Sequence, residues 1–232
     1  MINVVDHRST DFAGPVFRRG TPGPEAELVS EFLARTPFAI PRGCRATLFC
    51  EPHIASGFPD LVLVVWNVAV AQKWKPARAS LSRDDVRLLH FLHGAGAQTD
   101  GVLRSFFPRS LMARLERLEE AELIYQSGHY WRPRCMADTF AARHIIAIEA
   151  KVSQWAAALS QAFLNTWFAS ESYVLLPRTT AGMETAAERF GVQLCSPNST
   201  ITCRRPAVSD TLPRSYASWL FNEWAWRSAA LS

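Results

Sequence analysis

The stretch PDLVLVVWNVAVA, residues 59–71, limits the possible folds more than any other part of the chain. A half-buried strand alternates apolar and polar residues, but from Leu61 this run is almost continuously apolar, as a strand covered on both faces must be. Such a strand calls for a layered α/β architecture. The run is interrupted by Asn67 and is too short to span a bilayer as a helix, so no membrane role is expected. A second apolar run, RHIIAIEAKV at 143–152, ends with Glu149 and Lys151, just as the first is preceded by Pro59 and Asp60. Function has to account for a carboxylate at the mouth of each core strand.

The rest of the pattern surrounds these two strands. Residues 1–23, rich in Gly, Pro and Arg, show no period and are expected to form an irregular arm. PEAELVSEFLART opens with Pro24, suited to a first helical turn, and carries Leu28, Val29, Phe32 and Leu33 on one face. Glu27 and Glu31 sit one turn apart on that helix. CRATLFCEPHI reads as a strand beside the 59–71 strand. After the insertion described below, the order is strand (143–152), helix from a Ser153 cap, strand SYVLLP, helix TAGMETAAERFG closed by Gly191, then strands VQLCSP and TITCRR. Strand–helix–strand at this spacing implies right-handed parallel crossovers. The aromatics of SYASWLFNEWAWRS belong to a final helix that packs on the sheet.

Between the two core strands, composition turns abruptly basic at QKWKPARAS. Ser82 can cap a helix carrying Val86, Leu89 and Leu92; GAGAQ breaks it; a short second helix ends near FFP; and Ser110 can cap a third. LIYQ and YWRP then flank Ser127–Gly128 as a hairpin. Three helices and a hairpin resemble a winged helix-turn-helix, with residues 109–120 in the recognition position. There Arg109, Arg114 and Arg117, with His129 and Arg132 on the wing, suit contacts to DNA phosphates and bases. Glu116, Glu119 and Glu120 dilute the charge of the same helix, and winged helices also dock on proteins. The expected organisation is thus an arm (1–23), a core in two parts (24–75 and 139–232) and an insertion (76–138).

The 232 residues carry a net charge of +4, which permits an anionic partner without requiring one. Five cysteines with no Cys-x-x-Cys pair, in a chain that needs no staples, read as reduced thiols. With no charged-then-apolar leader, a cytoplasmic protein is expected. Cys44, Cys50 and His53 match no common zinc spacing, and His90 and His93 are read as ordinary residues of one helix face.

Taken in order, a helix with a carboxylate, Pro59–Asp60 at a strand start, Glu149–Ala150–Lys151 on a core strand and a helix with Gln161 resemble the PD-(D/E)XK nuclease superfamily. The resemblance covers residues 24–71 and 141–203. It implies a restriction-endonuclease-like mixed sheet flanked by helices, and an endonuclease that hydrolyses phosphodiesters of duplex DNA with Mg²⁺ or Mn²⁺. It also implies Asp60 and Glu149 as metal ligands, Lys151 as the catalytic cation, and helper roles for Glu27 and Gln161. Glu31 is the rival of Glu27, and Glu51 a further candidate. Where some members place an aromatic four residues after the glutamine, this chain has Asn165.

The chemistry agrees with the resemblance. Hard carboxylate oxygens suit a hard divalent cation. Residues 149 and 151 share parity, which puts Glu149 and Lys151 on one face and Ala150 on the other. The insertion is expected at the far hairpin end, roughly 20–35 Å from the metal at about 3.3 Å per residue. Cutting both strands with one site per chain would call for a homodimer. The competing readings are a non-cleaving DNA-binding regulator that keeps the fold and an interaction protein that docks through its winged helix.

Overall fold

Hydrogen-bond register, more than any single contact, fixes the position of the site. A computed structural model describes residues 2–9, 14–35, 38–203 and 212–230. Its central sheet is built from β1 (Ile2–Val5), β2 (Cys44–Cys50), β3 (Leu61–Asn67), β7 (Ala142–Ala150), β8 (Glu171–Leu175) and β9 (Gln193–Cys195), in the spatial order β1-β2-β3-β7-β8-β9. β3 runs antiparallel to both of its neighbours, β2 and β7, while β1 pairs with β2, and β8 and β9 continue from β7, in parallel. The chain is therefore α/β, with a mixed six-stranded sheet flanked by helices.

The doubly apolar β3 is covered on both faces. Residues Leu61 to Val65 are at most 1 % exposed. One parity (Val62, Val64) packs with Phe49, Ile145 and Ala147 against α9 (Tyr216–Ala230), whose Trp219, Phe221 and Trp224 are buried. The other (Leu61, Leu63, Val65) packs with Ile146 and Ile148 against Leu28 and Phe32 of α1 (Pro24–Arg35). The helices α7 (Trp155–Asn165) and α8 (Ala181–Glu188) supply the crossovers from β7 to β8 and from β8 to β9.

The insertion follows β3. Asn67 ends the strand and its side chain accepts from the Val70 N–H, capping a single turn α2 (Val68–Ala71), so the expected strand stops four residues early. A 3-10 turn (Pro76–Ser80) leads to α3 (Arg83–Ala95), β4 (Gln98–Thr99), α4 (Asp100–Phe106), α5 (Leu111–Glu120), β5 (Ile124–Ser127) and β6 (Tyr130–Pro133); a further turn, α6 (Met136–Thr139), returns to β7. The three short strands form a second sheet in the order β4-β6-β5. Ser82 caps α3 in a reciprocal capping box with Asp85. Ser110 precedes α5 in a left-handed conformation and makes no side-chain cap.

Several expectations are corrected here. The arm is not irregular throughout: Ile2–Val5 is an edge strand, because INVV is short and apolar enough to extend the sheet beside β2. Gln154, not Ser153, is the N-cap of α7, without a side-chain bond. Within TITCRR, Thr202 makes only an isolated bridge to Ala39, and residues 204 and 205 lie outside the described residues. The insertion leaves from the far end of β3, as the antiparallel register requires, but it does not stay there. It folds back onto α9 in one continuous apolar cluster. Arg83 then reaches the His53 carbonyl at 3.2 Å, two residues beyond Glu51. A buried ion pair fastens the return, with Arg78 Nε donating to Glu223 at 3.0 Å and both side chains 1 % exposed.

Candidate active site

Antiparallel pairing matches Leu61 with Ile148, so the residues just outside that pair, Asp60 and Glu149, fall side by side. Both line a cleft of about 560 Å³ together with Lys151, Glu25, Glu51 and Gln161. Asp60 Oδ2 accepts the Ala150 N–H at 2.7 Å, which fixes the carboxylate across the strand end. Glu149 is 6 % exposed, and its Oε1 accepts from Asn165 Nδ2 on α7 at 2.6 Å. Each carboxylate is thus held by one oxygen. Among the described residues the other oxygen has no hydrogen-bond donor; Asp60 Oδ1 lies 3.8 Å from Arg18 Nη2.

Burial and crowding govern the protons. Burial first, and the adjacent Asp60 second, push Glu149 up to about 8 against the opposing bond from Asn165. Burial likewise raises Asp60, opposed by the Ala150 N–H and by Lys151. Five carboxylates line the cleft against three fixed cations, and one of the five, Asp6, is bonded to Arg8. With the remaining four all ionised, only Arg18 and Lys151 oppose them among the described lining residues, a formal deficit equal to one divalent ion.

That deficit and the hard oxygen donors fit Mg²⁺ or Mn²⁺. Among the described residues no three His, Cys, Asp or Glu side chains converge as a metal-holding group. A cation here would rest on Asp60 and Glu149 and take its other ligands from water, backbone or substrate, a pattern usual for Mg²⁺.

Lys151 follows the end of β7, and its ammonium bonds both oxygens of Glu25 at 2.8 and 2.9 Å. Glu149 is thus bonded from α7 and Lys151 from α1, and both line the same cleft. Ala150 is buried on the α1 side, as its parity requires. Glu27 and Glu31 are exposed and do not line the cleft; Glu31 pairs with Arg35. Glu25 takes the place expected of Glu27. It continues the stripe of Leu28 and Phe32 one turn toward the N-terminus, and that signal was available in the helical spacing. Asn165 was visible only as a departure from a pattern, although it grips the buried carboxylate.

Glu51, the further candidate, is half-buried at the edge of the cleft. Its backbone is left-handed (φ 50°), its N–H bonds the Asp60 carbonyl at 2.9 Å, and its side chain pairs with Arg18. Nothing in a Gly- and Pro-rich arm marked Arg18 beforehand. Cys44, Cys50 and His53 form no cluster; burial pushes the Cys50 thiol up to about 11. His93 stacks on Trp219, and burial pushes it down to about 4, so it and His90 belong to the packing of α3.

In the insertion, Arg117 donates to Asp85 at 2.7 and 3.0 Å, and Arg114 bonds Asp84 at 3.0 Å. Burial raises the pKa of Asp85, but bonds from Arg117 and Ser82 outweigh it and hold the group below the usual range. Two of the three arginines assigned to DNA are therefore tied to the first turn of α3. The outward residues of α5 are instead Met112, Ala113, Glu116, Glu119 and Glu120. Arg109, His129 and Arg132 remain exposed, with Arg132 over the Tyr130 ring at 5.9 Å. No described helix is long and apolar enough to cross a membrane. Compared with known proteins, the chain matches no family model, no curated protein and no solved structure.

Proposed function

We propose that the protein is a divalent-cation-dependent endonuclease that hydrolyses phosphodiester bonds of duplex DNA, a cytoplasmic enzyme resembling the PD-(D/E)XK nucleases. One observation carries this reading: the β3–β7 register sets Asp60 beside Glu149, and Lys151 shares their cleft. Mg²⁺ or Mn²⁺ held by Asp60 and Glu149 would supply Lewis-acid polarisation of a phosphoryl oxygen. Asn165 and the Ala150 N–H orient the two carboxylates, and Glu25 positions the Lys151 ammonium for charge that develops on the phosphoryl group. Gln161 borders the same cleft and is available to bond substrate or water.

The insertion resembles a winged helix in its element order. Its acidic outer α5 face favours protein docking over base reading, which leaves DNA contact to Arg109, His129 and Arg132. A homodimer would supply the second cut of a duplex.

Nicking of supercoiled plasmid in Mg²⁺ tests the proposal. Wild-type protein should nick, while Lys151→Ala and Glu149→Gln lose activity by about 10³-fold or more with duplex affinity nearly unchanged. Duplex binding without nicking would instead identify a regulator that keeps the fold.

A further inference from the structure

The arm brings one cation to the site that the resemblance does not provide. Residues 16–18 run antiparallel to 51–53: His53 N–H bonds the Val16 carbonyl at 2.7 Å, Phe17 bridges Pro52, and Arg18 N–H bonds the Glu51 carbonyl at 3.1 Å. The Arg18 backbone is therefore fixed beside the cleft. Its Nε donates to Glu51, its Nη2 lies 3.8 Å from Asp60 Oδ1, and its Cζ lies 5.4 Å from the Phe58 ring centroid. Gly20 lies against the same carboxylate, and a Cβ there would come within 2.9 Å of Glu51 Oε1.

A half-exposed ion pair stabilises a fold little. Here it coincides with a left-handed Glu51, a conformation that costs a non-glycine residue energy. Lys151 is already bonded to both oxygens of Glu25. Arg18 has its side chain 53 % exposed and a planar fork of donors, the geometry that matches a phosphate.

We propose that Arg18 is the phosphate-binding residue of the cleft, held ready by Glu51 and transferred to a non-bridging oxygen of the nucleic-acid phosphate seated at Asp60 and Glu149. This rests on the nuclease reading. A cation at Asp60 repels the guanidinium from that side, and the incoming phosphate supplies the anion that replaces Glu51. Arg18 then contacts substrate and is a catalytic residue.

Three readouts test it on Arg18→Ala, Arg18→Gln and Arg18→Lys: Mn²⁺ binding by electron paramagnetic resonance, anisotropy of a 20-base-pair duplex in Ca²⁺, and plasmid nicking in Mg²⁺. Arg18→Gln keeps a donor for Glu51 without the charge, so it guards against a loosened arm. Both neutral variants should lower the nicking rate by about 10²–10³-fold, with lysine partly restoring it. Mn²⁺ affinity should stay equal or become tighter, because a positive charge has left the site. Nicking by the neutral variants at or above the wild-type rate overturns the inference and leaves the nuclease reading intact. A wild-type protein that neither binds Mn²⁺ nor nicks overturns both.

Discussion

Glu149 is the residue on which the site's behaviour turns. Its pKa near 8 lies above the ordinary carboxyl value, so the neutral form stabilises the folded state, fully below about 4.5 and progressively less as pH rises through 8. Without divalent cation, thermal stability should fall over that window by an amount on the order of a few kcal/mol. Glu149→Gln should flatten the fall, and Mg²⁺ should reverse it in the wild type only; calorimetry across pH checks both. Mn²⁺ affinity should rise up to about tenfold per pH unit and level off near 8, since the cation must displace that proton. Asn165→Leu removes the bond that favours the ionised form, so Mn²⁺ affinity at pH 7 should weaken about 10–100-fold, as readable by titration calorimetry. The convergence of Asp60, Glu149 and Lys151 on one cleft was legible because strand ends are sequence properties. Asn165 and Arg18 were not, because their partners come from the packing of α7 and from an arm whose pairing no periodicity announces.

Among the elements, α5 shows how a charge pattern misleads. Arg114 and Arg117 read from sequence as a basic recognition surface, yet three and four residues along a helix also place groups on the side that meets a neighbouring helix. The capping box of α3 puts Asp84 and Asp85 there. Asp85 is fully buried, so Arg117→Ala strands a charge and should cost about 2–4 kcal/mol by chemical denaturation. The same change should leave the salt dependence of duplex binding unaltered, whereas Arg132→Ala should reduce its slope if the wing grips phosphate. Strands and long helices were readable from apolar spacing. The short elements β1, β4 and α2 were not, since they have four residues or fewer and lack the Ser-Gly turn that marks the equally short β5 and β6 as a hairpin.

At the scale of the whole molecule, insertion and core share one apolar cluster and the buried Arg78–Glu223 pair, so they are expected to unfold together. Tryptophan fluorescence and far-UV circular dichroism should report a single transition. Arg78→Ala, which leaves Glu223 buried without its partner, should lower stability by about 3–5 kcal/mol. The position of α9 has a further consequence for synthesis. β2 and β3 can pair as soon as they emerge, but the face of β3 that carries Val62 and Val64 is covered by Phe221 and Trp224, about 160 residues later. At about 5–20 residues per second, that apolar face waits roughly ten to thirty seconds on the translating ribosome. Aggregation of this chain should therefore respond to translation speed and to chaperones that bind nascent chains.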